Sequence, residues 1–163
     1  MIASRRQLTM FVPAPERDAI EKVRSALDPR QHALIAAHVT LCREAELEPW
    51  HVVRARLASL GRIEVVLQFG LPVQLPDGCV MLPVVSAMTD YVEVRQHILG
   101  PECRPHTPHL TLLHPRHAAG VAVDLPNLAQ LLPTRAIRFP AIAVIEQLDG
   151  GVWRQIERFG DGG

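Results

Sequence analysis

The spacing of apolar residues divides this chain into short strands and helices that alternate along its length. Four segments carry apolar residues at helical spacing and are predicted to be helices: 15–27, 49–60, 88–99 and 125–132. Runs that are β-prone or alternate in polarity predict strands over 8–12, 63–69, 79–85, 137–148 and 152–159. Asp77-Gly78 and Asp149-Gly150-Gly151 are typical of hairpin turns. The pattern indicates a chain that mixes strands and helices throughout.

Two further strands carry the same four-residue pattern. His38-Val39-Thr40-Leu41 and His109-Leu110-Thr111-Leu112 lie 71 residues apart, each in an apolar run that follows a proline-containing loop. In an extended strand, successive side chains point to opposite faces, so each His shares a face with its Thr while the apolar residues take the other face. Two such strands brought together would place two imidazoles and two hydroxyls around one small anion.

The sequence around the two motifs also repeats. In each half a strand is followed by a helix, a Leu-x-Pro stop, a loop and the motif, the stops being Leu27-Asp28-Pro29 and Leu99-Gly100-Pro101. This shared setting predicts an internal repeat over about 5–45 and 78–116. We expect one domain over 1–163, since the chain has the length of an ordinary domain and each half alone is too short for a comfortable core.

Composition limits the possible partners. Seventeen basic and seventeen acidic residues cancel, which argues against a protein that coats extended nucleic acid, so a nucleic-acid partner should be short or held locally. Three cysteines without metal-ligand spacing predict neither a disulfide framework nor a zinc site and indicate a reducing compartment. With no signal-peptide pattern and no long apolar run, we expect a soluble, cytoplasmic monomer that does not bind membranes.

The repeated polar pair suits acid–base chemistry at a phosphate. A neutral imidazole can take a proton from a water or hydroxyl group while a protonated one gives a proton to the departing oxygen. The Thr hydroxyls and strand amides can hold the phosphate oxygens as charge develops on them, so the scheme needs no metal and no cofactor. A single His-x-Thr is most simply an ordinary strand segment, but a structural repeat would not need the titratable residue in both copies.

These motifs resemble those of the two-histidine (2H) phosphoesterase superfamily. The second motif, in Thr-Pro-His-Leu-Thr-Leu-Leu-His-Pro-Arg over 107–116, is similar to the form found in bacterial 2'-5' RNA ligase-like proteins and cyclic phosphodiesterases. The resemblance implies an α+β fold in which two antiparallel sheets, flanked by helices, form a bilobal pseudo-twofold duplication around a central cleft. It implies that His38 and His109 are the catalytic acid–base pair and that Thr40 and Thr111 bind the phosphate.

Other residues are weaker candidates for substrate binding. Arg43 and Arg116 each follow a motif, and a guanidinium at the cleft rim would suit phosphate oxygens, although strict alternation turns Arg43 away from the His38 face. His106 and His114 flank the second motif and are interpreted as loop residues, because no carboxylate accompanies them at metal-ligand spacing.

Aromatic residues make up only 4% of the chain, which is low for a protein that stacks on nucleobases. Phe11, Tyr91 and Trp153 are the available platforms. We include Phe11 and Tyr91 among the possible substrate-binding residues, although a place in the core is the better explanation for Phe11 and Trp153.

The motif chemistry therefore predicts a metal-independent phosphoesterase. The resemblance implies that it hydrolyses a 2',3'-cyclic phosphate or a related small phosphodiester, with a small phosphorylated nucleotide or an RNA terminus as its partner. Which histidine is the base, and whether the reaction is hydrolysis or ligation, stays open. The alternative is a non-catalytic module that binds phosphate-bearing RNA ends or nucleotides in the same cleft.

Overall fold

The computed structural model describes residues 1–161, which form strands and short helices in alternation. The strands are β1 Ser4–Phe11, β2 His38–Cys42, β3 Val65–Leu67, β4 Val73–Gln74, β5 Val80–Pro83, β6 His109–Leu113, β7 Ile137–Phe139, β8 Ala141–Leu148 and β9 Arg154–Gly160. The helices are α1 Glu16–Leu27, α2 Pro29–Leu34, α3 Trp50–Ala58, α4 Thr89–Leu99 and α5 Leu125–Leu131. None of the helices within residues 1–161 has the length and apolar character needed to cross a membrane.

Seven of the strands form one antiparallel sheet with the order β4-β5-β6-β2-β1-β8-β9, and β3 pairs with β7 in a second, smaller antiparallel sheet. The predicted α+β class, with antiparallel sheets flanked by helices, is confirmed. The two halves of the chain do not form two separate sheets, however. They join edge to edge in the larger sheet, because β2 of the first half lies beside β6 of the second half.

The junction between β2 and β6 is short. One register pair, Val39 opposite Leu110, connects the two strands. On its outer side β2 pairs with β1, where His38 lies opposite Phe11, and β6 pairs with β5, where His109 lies opposite Pro83. The two motif strands therefore occupy equivalent positions. Each has an antiparallel partner from its own half of the chain on the outer side, and the other motif strand on the inner side.

The two motif strands bury alternate residues, as their sequences predict. β2 and β6 share one burial pattern, in which the His and Thr are half-buried and the intervening residues are buried. Val39, Leu41, Leu110 and Leu112 lie in the main apolar core. Burying an aliphatic side chain of this size contributes about 2 kcal/mol, so these residues hold the strands in register and leave the polar pairs on the opposite face.

Asp28 explains a helix that the sequence reading missed. Pro29 was predicted to end the first helix and lead into a polar stretch, whereas it is the first residue of α2. Asp28 ends α1 and is also the N-cap of α2, where its side chain accepts a hydrogen bond from the Gln31 amide at 3.0 Å. Proline is favoured at the first helical position, so a helix stop and a helix start coincide here.

Two strand predictions also need correction. The predicted strand over 137–148 is broken at Pro140 into β7 and β8, which lie in different sheets. Proline cannot donate to a β ladder, which is why it separates the two pieces. The Asp77-Gly78 turn joins β5 to the two-residue strand β4. Of the strand predicted over 63–69, Val65–Leu67 pair with β7, and Phe69 forms an isolated antiparallel bridge with Val84.

Asp28 also ties the first half of the chain to the loop after the second motif. Its buried carboxylate accepts hydrogen bonds from the His114 amide at 2.9 Å and from His117 Nδ1 at 2.8 Å, in addition to the Gln31 amide. Burial alone would raise the pKa of Asp28, but the hydrogen bonds from the His114 and Gln31 amides and from His117 outweigh it and lower the pKa.

We expect Asp28→Ala to be far more destabilising than the loss of an ordinary helix cap. The substitution removes three hydrogen bonds and leaves buried donors unpaired, so the free energy of unfolding in urea should fall by about 3 kcal/mol or more. Asp124→Ala is the matched control, since Asp124 is an exposed N-cap of α5 that accepts one amide hydrogen bond, and should cost about 1 kcal/mol. Equal losses of unfolding free energy in the two variants would show that Asp28 acts only as a helix cap and does not hold the segment after β6.

Candidate active site

A cavity of about 340 Å³ lies on the polar side of the β2–β6 junction. His38, Thr40, His109 and Thr111 all line it, so the structure brings the four predicted motif residues together. The remaining lining residues come from β1, α1, α2, the segment after β6, and the β8–β9 hairpin: Arg5, Gln7, Arg24, Gln31, Leu34, Ile35, His114, Arg116, Gln147, Gly150 and Trp153. No carboxylate is among them, which leaves the cavity suited to an anion.

Both motif histidines are oriented in the same way. Nδ1 of His38 lies 2.8 Å from the carbonyl oxygen of Ala36, and Nδ1 of His109 lies 3.2 Å from that of Thr107, two residues earlier in each case. Since a carbonyl can only accept, Nδ1 carries the proton in both rings. Nε2 of each ring is thus left for a ligand, to which it offers a lone pair in the neutral imidazole and a proton in the imidazolium.

The surroundings of His38 favour its neutral form. Burial lowers its pKa to about 4, and the positive charges of Arg24 and of protonated His109 act in the same direction, against the opposing effect of the Ala36 carbonyl. The ring edge of Phe11 packs against the His38 ring, with centroids 6.4 Å apart. At neutral pH, His38 is therefore a proton acceptor.

Thr40 has a polar neighbour that the sequence reading did not identify. Gln7 of β1 lines the cavity and donates from Nε2 to Thr40 Oγ1 at 3.1 Å. With one lone pair taken by Gln7, the Thr40 hydroxyl is free to direct its proton elsewhere. Nothing in the local sequence distinguishes Gln7 from the other polar residues at the start of β1, which begins Ser-Arg-Arg-Gln.

The cavity is also lined by a buried arginine that the sequence reading did not identify. Arg24 of α1 donates from Nη2 to the Ile35 carbonyl at 2.8 Å and pairs through Nη1 with Glu21 at 2.5 Å. Glu21 in turn accepts from the Ala37 amide at 3.1 Å. This chain of contacts fixes the three residues that lead into His38. The sequence signal was a charged residue four positions after Ile20, on the core-facing side of α1.

The two arginines that follow the motifs differ in position. Arg116 lines the cavity and is exposed at its rim, and its role in phosphate binding stays a prediction. Arg43 does not line the cavity. It lies after the end of β2, where it caps a 3-10 turn over Glu44–Glu46 and pairs with Glu46 at 3.5 Å, so the structure does not bring it to the rim of the motif cavity as the sequence suggested.

The predicted aromatic platforms need a similar correction. Tyr91 is fully buried in the core, and Phe11 faces a separate cavity with only its edge against His38, so neither offers a free ring face in the motif cavity. Trp153, which the sequence placed in the core rather than at the site, is half-buried and does line the cavity. The Arg5 guanidinium lies over its ring, 5.4 Å from the centroid.

The two other loop histidines separate in the structure. His114 lines the cavity at the start of the 3-10 turn Pro115–His117, while His106 lies behind the second motif with its ring 6.2 Å from that of His109. Within residues 1–161 the His, Cys, Asp and Glu side chains form no group of three or more that could hold a metal ion.

Comparison with known proteins finds a match to the fold of this chain but none to its sequence. The sequence matches no family model and no curated protein. The fold matches solved structures of Escherichia coli LigT over 96% of this chain. The LigT complex with NADP+ has a TM-score of 0.66 at 15% identity over 96% of that chain, and the complex with 3'-AMP has 0.67 at 16% identity over 97%. A further structure, described as a phosphoesterase, has a TM-score of 0.63 at 14% identity over 97% of this chain and 98% of that one.

At these identities, the similarity concerns the fold. It extends over nearly the whole of this chain and nearly the whole of each related structure, so no large part of the architecture is unmatched. The resemblance first drawn from the two motifs is thus confirmed at the level of the fold.

Stability should depend on pH through the histidines near the cavity. The pKa values of His38 and His106 are both lowered to about 4 in the folded protein, chiefly by burial, whereas unfolded histidine titrates near about 6.5. The unfolded chain binds more protons between these values, so the free energy of unfolding should rise from about pH 4 to 6.5 and then level off.

Urea unfolding of the wild type and of His38→Gln across this pH range measures the effect. The variant should show the shallower rise, and wild-type stability that falls with pH over this range would contradict the assignment.

Proposed function

We propose that this protein is a metal-independent phosphoesterase of the 2H type that opens a 2',3'-cyclic phosphate or a related small phosphodiester. One observation carries the proposal: His38, His109, Thr40 and Thr111 line one cavity, and both imidazoles keep Nε2 free. Two proton-exchanging groups and two hydroxyls around a carboxylate-free space are what a phosphoryl transfer without a metal requires.

The protonation state of His38 suggests how the roles divide. Neutral His38 accepts the proton of the attacking water at Nε2 as the water oxygen bonds to phosphorus. The donor role then falls to His109, whose Nε2 gives its proton to the departing ribose oxygen as the P–O bond breaks. The two protonation states are restored by exchange with solvent. Thr40 and Thr111 hydrogen-bond the non-bridging oxygens, and Arg116 at the rim adds positive charge.

The substrate class is supported by the size and polarity of the cavity. A volume of about 340 Å³ admits a small ligand rather than an extended polymer. The LigT structures include complexes with phosphate, 3'-AMP, ATP and NADP+. For this chain we therefore propose a small nucleotide or an RNA terminus, with Trp153 as the available surface for a base.

The His109→Ala variant should separate catalysis from binding. Turnover of a 2',3'-cyclic nucleotide should fall by about 10²-fold or more, because the proton donor is lost, while binding of the substrate is largely kept. Wild-type turnover should persist in EDTA. His51→Ala, an exposed histidine on α3, is the matched control and should retain full activity.

The same assay decides between an enzyme and a binding module. If the wild type binds cyclic or terminal nucleotides but turns over none of them, with or without EDTA, the phosphoesterase proposal is wrong and the non-catalytic alternative is supported.

The pH dependence of the reaction should reflect the lowered pKa of His38. Since that pKa is about 4, the base stays neutral well below the usual range of histidine, and kcat/KM should fall on the acidic side only near pH 4 to 5. Steady-state rates between pH 4 and 8 measure this. An acidic limb near about pH 6.5 would show that His38 is not the base.

A further inference from the structure

Helix α4 of the second half reaches across to the first motif. Tyr91, fully buried on α4, donates its hydroxyl proton to the carbonyl oxygen of Thr40 at 2.8 Å. Thr40 lies immediately after the one register pair that joins β2 to β6. A tyrosine hydroxyl therefore binds the backbone of β2 where the ladder between the motif strands is sparse.

The same hydroxyl connects to the second motif. His106 Nδ1 lies 2.8 Å from the Tyr91 oxygen. Because the single hydroxyl proton is given to Thr40, His106 must donate from Nδ1, which fixes its tautomer. The His106 ring lies beside the His109 ring, with centroids 6.2 Å apart and planes inclined by 38°. Hydrogen bonds thus connect Thr40 through Tyr91 to His106, and the His106 ring lies beside that of His109.

The next turn of α4 anchors this path. Arg95, buried four residues after Tyr91, donates to the carbonyl oxygens of Leu41 at 2.5 Å and Arg104 at 2.8 Å, and it pairs with Glu46 at 2.8 Å. It therefore holds both β2, one residue beyond Thr40, and the loop that carries His106. Arg95 therefore holds the α4 turn that follows Tyr91, so the Tyr91 hydroxyl cannot move with β2 or β6 alone.

We propose that Tyr91 and His106 are a positioning pair that sets the distance between Thr40 and His109 across the gap between β2 and β6. Neither touches the substrate. The pair acts through the Thr40 backbone, which places the phosphate-binding hydroxyl, and through the His109 ring, which places the donor nitrogen. The proposal rests on the phosphoesterase function given above.

The charge on His106 fits a positioning role. Burial, with the positive charges of Arg95, Arg43 and protonated His109, lowers the pKa of His106 to about 4 against the opposing effect of Glu46. His106 is then neutral at working pH and adds no repulsion beside a His109 that must carry a proton. A cation at the same place would repel the protonated form of His109 and so make the donor state less populated.

Steady-state kinetics with a 2',3'-cyclic nucleotide tests the pair. Tyr91→Phe and His106→Phe keep a ring but break the hydrogen-bonded path, and each should lower kcat about tenfold with KM within about twofold. His106→Asn offers an amide donor near the position of Nδ1 and should recover most of the lost rate. The double variant Tyr91→Phe/His106→Phe should be no slower than either single variant, because the path is already broken. His51→Phe is the control for the substitution itself.

The outcomes are distinguishable. A wild type without turnover overturns the proposed function and the positioning pair with it. An active wild type with unaffected Tyr91→Phe and His106→Phe overturns the positioning pair alone. Three results would show that the two residues only support the fold. They are a loss of kcat that His106→Asn fails to recover, losses that add in the double variant, and losses that follow the thermal stability of the variants.

Discussion

Val39 of β2 lies opposite Leu110 of β6, and this one pairing determines where every candidate catalytic group stands. Both residues are buried on the core face. Because side chains alternate along a strand, His38, Thr40, His109 and Thr111 must then share the other face. A slip of one residue in either strand would turn that strand's His and Thr into the core and its apolar residues toward the cavity. The apolar residues of the motifs therefore specify the site as firmly as the polar ones do.

A junction of one register pair leaves room between the motif strands, and it needs support from elsewhere. That support is reciprocal. Asp28, at the end of the first-half helix α1, holds the segment after the second motif. Tyr91 and Arg95, on the second-half helix α4, hold the backbone of the first motif strand. Each half thus stabilises the motif of the other through buried polar groups. Such groups are costly when only partly satisfied, which makes the arrangement specific.

The sequence revealed what depends on local pattern. Alternation in the two His-x-Thr strands predicted which side chains would share a face, and the Leu-x-Pro stops identified the matching helices. It could not reveal what depends on tertiary contacts. Tyr91 looked like a stacking platform because nothing local distinguishes a tyrosine that donates to a carbonyl within the core. Arg43 is a different case, because strand alternation already turned it away from the His38 face and its partner Glu46 lies only three residues further along the chain. Arg24 and Arg95 resemble breaks in an apolar helix face until their carbonyl partners are seen.

The central claim is that the two motifs form one phosphate site. Titration of ¹⁵N-labelled protein with inorganic phosphate, followed through the imidazole nitrogens, tests it most directly. The account predicts that the Nε2 signals of His38 and His109 shift along a single binding curve with one phosphate per chain, while those of exposed His51 stay in place. Signals that follow different curves, or a shift of only one of the two motif histidines, would show that the motifs do not share a ligand.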